Sequence, residues 1–139
     1  MDWLRLNLDK TFEFPRKNKF KEIAAQDFKI IEVNEEKGVV KIRFMGSGTI
    51  LPLEFWRFDK ALEVISKDEW VRLGTRLMAD DPSTLEYALQ EYAKKHYSRK
   101  ADTKTAPHIC DILVLSGIAQ YDYAKNPKTK RKNQAVKKI

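Results

Sequence analysis

The period of the apolar positions changes along the chain, and the changes mark out its elements. Leu4, Leu6 and Leu8 alternate with polar residues, and Phe12 and Phe14 keep the same period of two, which predicts half-buried strands at the start. Pro15-Arg16-Lys17-Asn18-Lys19 has a proline and no period, and reads as a loop. Residues 28–33 and 39–44 then flank Asn34-Glu35-Glu36-Lys37-Gly38. This is the clearest hairpin, with Gly38 able to take the positive φ that closes its loop. Gly46-Ser47-Gly48 turns the chain into a third strand, 49–53, in which Pro52 favours an edge or the strand's end. A meander with one greasy face needs a cover. Phe55, Phe58, Leu62 and Ile65, spaced by three and four, predict a helix over about 55–66 that supplies it. Trp70-Val71-Arg72-Leu73-Gly74 reads as a short strand returning to that sheet, and Asp80-Asp81-Pro82 marks a break.

Beyond the break the period becomes helical. Ser83 and Glu86 have capping-box spacing, and Leu85, Ala88, Leu89 and Tyr92 form a stripe that carries a helix to about Tyr97. A polar connector, 98–104, leads to a second helix that Thr105 can cap, with Ile109, Ile112, Leu113 and Ser116 on one face and Gly117 placed to end it in a Schellman turn. Residues 118–124 and 134–139 then pair as a β-hairpin around the loop 125–133. Its basic tip is the only segment near low complexity.

Helix, connector, helix, glycine stop, strand, basic loop and strand, over about 58 of 139 residues, resemble the second half of a winged helix. The resemblance implies that residues 107–116 stand where the groove-reading helix lies and that the hairpin is the wing, which contacts backbone or minor groove. Carried onto this chain, the wing cations are Lys125, Lys128, Lys130, Arg131 and Lys132. Base edges are read by Arg, Lys, Asn or Gln, whereas this helix offers His108, Asp111 and little else. Phosphate contact by the wing, which needs only flexible cations, is the better-supported half.

Charge sharpens this reading. Residues 1–93 carry 15 Lys/Arg and 17 Asp/Glu, whereas 94–139 carry 12 and 3, so the formal charge of +7 has its whole excess at the C-terminal end. A local cluster of cations gains free energy by displacing counterions from phosphates, which points to a polyanion partner. Lys94, Lys95, Arg99, Lys100 and Lys104, at the first helix's end and in the connector, extend the wing into a basic strip. The bland alternatives are a solubilising tail and cations that complement a helix C-terminus.

Catalytic chemistry finds little support. The two histidines are His96 and His108, and the one cysteine is Cys110. Residues at i and i+2 point about 200° apart on a helix, so His108 and Cys110 cannot form a nucleophile pair. Glu32, Glu35 and Glu36 surround a turn, and Asp59, Glu63, Asp68 and Glu69 a surface helix, with no metal-site convergence by spacing. Trp3, Trp56 and Trp70 suggest a base-holding cage, and Tyr121 and Tyr123 a stacking pair, but core and rim packing are the commoner uses of both. Gly46-Ser47-Gly48 lacks the Lys-Ser/Thr follower of a phosphate loop.

The expectation is therefore an α+β protein: an N-terminal antiparallel β-meander with one helix in residues 1–79, followed by a winged-helix-like basic unit in 80–139. It is expected to bind nucleic acid, duplex DNA ahead of RNA, with a protein-interaction subunit as the alternative from another class. No enzymatic activity, cofactor or metal is expected. A lone cysteine, no apolar run of membrane length and a start, Met1-Asp2-Trp3-Leu4-Arg5, unlike a secretory signal point to the cytoplasm.

Overall fold

The computed structural model describes residues 2–20, 26–74, 81–100, 102 and 104–139. It divides the chain into two compact units, Met1–Phe58 and Asp59–Ile139. Both combine helices with antiparallel sheet, as the change of period predicts. The boundary expected between residues 79 and 80 lies outside the described residues.

The first unit holds α1 (Asp2–Leu6), β1 (Thr11–Phe12), α2 (Arg16–Lys19), β2 (Phe28–Asn34), β3 (Val39–Phe44) and β4 (Ile50–Glu54). Its sheet order is β1-β2-β3-β4. Phe28, Ile30, Val40, Ile42 and Leu53 lie buried on one face, as the pleat requires of alternating apolar residues. A bulge between Ile30 and Glu32 keeps Val33 opposite Val40 and so preserves that face. Pro52 sits on the edge strand β4, where its missing N–H costs no ladder bond.

Within the first twenty residues Thr11–Phe12 forms the expected strand, but the flanking segments depart from their expected form. Residues 2–6 are helical, not extended, and only Leu4 of the three alternating leucines is buried, Leu6 being 75% exposed. The inward positions are Trp3 and Leu4: the Trp3 ring lies 5.2 Å from Phe12, and Asn7 N–H donates to the Trp3 carbonyl at 3.1 Å. The stretch expected as a loop contains α2. Arg16 is buried, bonded to Gln26 and stacked 5.4 Å from the Phe14 ring, and Lys17 pairs with Glu13 at 3.0 Å.

Helix α3 (Phe55–Val64) starts in the first unit and continues into the second, with Phe58 and Ala61, and Ile65 just past its end, buried. The second unit continues with β5 (Val71–Arg72), α4 (Leu85–Tyr97), α5 (Ala106–Leu115), β6 (Ala119–Lys125) and β7 (Lys132–Lys138), in a sheet of order β5-β7-β6. Strand β5 thus joins the C-terminal sheet rather than the meander, with Val71 opposite Val136 and Leu73 N–H donating to Gln134 O at 2.9 Å. Ala135 and Val136 are fully buried, and a central strand of that kind needs a partner on each side.

Helix α4 is capped one residue later than its spacing suggests. Thr84 accepts from Tyr87 N–H at 3.3 Å, while Ser83 is held by Asp81 and Arg72. Glu86 is freed for another task. Fully buried, it accepts from Thr105 N–H at 3.2 Å and Ala106 N–H at 2.9 Å, and so caps α5 in place of the Thr105 side chain, which makes no capping bond. The expected Schellman stop is present: Gly117 has φ 81°, its N–H donates to Val114 O at 3.1 Å, and Ile118 N–H donates to Leu113 O at 2.9 Å.

Candidate nucleic-acid interface

The β6–β7 ladder pairs seven residues on each side, from Ala119 opposite Lys138 to Lys125 opposite Lys132. Asn126 organises the loop that follows. Its side-chain oxygen accepts from Lys128 N–H at 2.9 Å, its N–H donates to Arg131 O and its carbonyl accepts from Lys130 N–H, both at 2.8 Å. An Asx turn of this kind fixes a loop without glycine. Lys130 takes φ 63°, a left-handed conformation that a lysine adopts at some cost.

The sequence 125–132 holds five cations and no acid, and Lys125, Lys128, Lys130, Arg131 and Lys132 are all exposed. None of the five forms a salt bridge among the described residues. Two lysines directly opposite at the hairpin mouth, Lys125 and Lys132, destabilise the isolated ladder by a few tenths of a kcal/mol. Lys137, further down β7, lies over the Trp70 ring at 5.3 Å instead.

The other candidate cations gather at the end of α4. Lys94 and Lys95 are exposed in its last turn and Lys100 is exposed just beyond. Arg99 pairs with the buried Asp102 at 3.4 Å and lies 5.4 Å from the Tyr97 ring. Lys104 is half-buried, with interactions of its own.

Helix α5, to which the resemblance assigns groove reading, has no exposed residue. Ala106, Pro107, Ile109, Cys110, Asp111, Ile112 and Leu113 are buried, as a helix apolar everywhere but at His108 and Asp111 demands. Asp111 accepts from the buried Tyr121 hydroxyl at 2.7 Å, tying α5 to β6. His108 is half-buried and already engaged. Tyr121 and Tyr123 share a sheet face, the first in the core and the second 39% exposed.

The remaining candidates have local employment. Trp3 stacks on Phe12, Trp56 donates to Glu54 at 2.9 Å under the Arg57 guanidinium, and Trp70 lies under Lys137. Glu32 pairs with Lys41, Glu35 with Arg5 and Glu63 with Lys60. Among the described residues no group of three or more His, Cys, Asp or Glu is placed to hold a metal ion, and no helix is long and apolar enough to cross a membrane.

One grouping escapes the sequence reading. Tyr92, His96 and Tyr97 cluster at the end of α4, with Tyr92 and His96 centroids 4.2 Å apart and Tyr92 and Tyr97 6.4 Å apart. The signal available beforehand was the i, i+4 spacing of Tyr92 and His96. Comparison with known proteins finds no family model, no curated protein and no solved structure that matches the chain.

Proposed function

We propose that the second unit is a winged-helix module that binds duplex nucleic acid, DNA in preference to RNA, with the β6–β7 hairpin as its wing. The observation that carries the reading is the hairpin tip: five exposed cations, no acid, and a loop ordered by Asn126 rather than left slack. The order α3-β5-α4-α5-β6-β7 with sheet order β5-β7-β6 supports the resemblance beyond the hairpin, since it adds the helix and strand that precede the two-helix turn in winged helices. Lys130 in a left-handed conformation and the facing Lys125–Lys132 pair are both costs to the free protein. A polyanion at the tip offsets them by Coulomb attraction and counterion release. With α5 buried, contact falls to the wing and to phosphates, and base sequence is read weakly at most.

Titration of a short duplex at several salt concentrations tests this. Four to six phosphate contacts give a slope of log affinity on log salt of about −4 to −5. Lys128→Ala with Lys130→Ala and Arg131→Ala is expected to flatten that slope by about 3 and weaken binding at least about tenfold, with the melting temperature unchanged. Lys130→Gly separates function from folding: it relieves the positive φ, so stability holds or rises while affinity falls. An unaltered slope in the triple variant removes the wing from the mechanism. Matched duplex RNA and single strands rank the ligand classes, and absence of binding to all of them at low salt favours a protein-interaction subunit.

A further inference from the structure

We propose that the end of α4 is a separate nucleic-acid contact, a platform on which unpaired bases of a single strand stack. Three rings and two cations interleave there. Tyr92 and His96, one turn apart, lie with centroids 4.2 Å apart and planes inclined by 30°. Tyr97 follows, 47% exposed. Lys60, reaching from α3, sits 5.6 Å from the Tyr92 centroid, and Arg99 sits 5.4 Å from that of Tyr97. His96 is exposed, as are Lys94, Lys95 and Lys100 around it.

Helix termini attract cations for their own sake, because the last carbonyls leave partial negative charge. That accounts for lysines in the final turn of α4. It does not account for exposed His96 and Tyr97 rings beside them, since apolar ring surface left in water forgoes the free energy of burial. Clustered rings flanked by cations suit a chain that alternates flat bases with phosphates, and every base has a π-face, so no sequence is required. The hairpin tip lacks this ability: residues 126–131 include no aromatic side chain. The two sites therefore differ in chemistry, phosphate gripping at the tip and base stacking at α4, and this proposal does not depend on the wing. The ligand is a single-stranded polynucleotide; the sugar is not selected by stacking.

The test uses the intact chain with a labelled oligothymidylate of about 20 nucleotides, an abasic strand of the same length, and a blunt duplex. The thymidylate is expected to bind about tenfold more tightly than the abasic strand. His96→Ala with Tyr97→Ala should abolish that difference and leave duplex affinity within about twofold, whereas Tyr97→Phe should behave as wild type because it keeps the ring. Equal affinity for the thymidylate and abasic strands overturns the proposal. So does a double variant that binds thymidylate normally, or one that loses duplex and thymidylate binding alike. Failure of the wing is read separately, from the salt slope of the triple variant on the duplex.

Discussion

Glu86→Ala is expected to lower the free energy of unfolding by about 3 kcal/mol, because it removes three supports at once. The side chain is fully buried, and its two oxygens satisfy the Thr105 and Ala106 N–H groups that open α5. Without them two buried donors at a helix start have no acceptor, and the methylenes leave a cavity. Urea unfolding measures the loss; a change below about 1 kcal/mol would show that water or Asp102 replaces the cap.

The same residue gives stability an unusual pH dependence. Burial, the dominant cause, pushes the Glu86 carboxyl above its ordinary value of 4.5 against the lowering effect of the Ala106 and Thr105 N–H groups, and neighbouring Asp102 adds to the rise. Between 4.5 and its raised native value the native state holds a proton that the unfolded chain has released. Its contribution is fully present below 4.5 and is lost as pH rises through the native value. Glu86→Gln should abolish this decline. Asp81 acts oppositely and at lower pH. Hydrogen bonds from Ser83, with a smaller contribution from Arg72, hold its carboxyl down at about 2, so its contribution is present above 3.8 and fades as pH falls toward 2. The two windows do not overlap, so unfolding curves above and below pH 4 separate them. An identical slope above 4.5 in wild type and Glu86→Gln would show that the carboxyl is not the source.

Gly74→Ala should cost about 2–3 kcal/mol and lower the melting temperature by about 8 °C. Gly74 has φ 80°, and a Cβ there would stand 3.0 Å from Glu86 Cβ, 3.0 Å from Thr84 Oγ1 and 3.1 Å from Thr84 Cβ. Neither neighbour can retreat easily. Thr84 caps α4, and Glu86 is pinned by its N–H to the Leu73 carbonyl at 2.9 Å and by its carboxylate to α5. Thermal unfolding followed by circular dichroism reads the effect, and a shift under about 2 °C would mean that the β5 end can move away from α4.

Local signals were legible wherever a short segment carries its own reason for its shape. The 28–44 hairpin follows from two apolar-rich runs and the turn ending at Gly38, the length of α4 from its stripe, the stop after α5 from Gly117, and the basic loop from charge density alone. Leu4, Leu6 and Leu8 misled because an alternation of three is compatible with one turn of helix when only one of them is buried. The contact of Lys60 with the Tyr92 ring was hidden for a related reason: the two residues meet across 32 positions of sequence, and no window that short-range rules use can span that distance.

Glu86 states the division most clearly. A glutamate three residues after a serine is a capping signal that sequence can display, but the carboxylate serves a helix that starts twenty residues later. Likewise the run 106–115 declares itself an apolar helix, while the burial that leaves none of its residues exposed is decided by what packs around it. From residue 28 onward, turn positions, the succession of hairpin, helices and hairpin, and the charge asymmetry are properties of neighbouring residues and were determined by sequence alone. Which strand pairs with β7, which helix receives the buried carboxylate, and which cations remain in water depend on contacts between distant residues, which form only when the chain gains more free energy from burial than it loses in ordering.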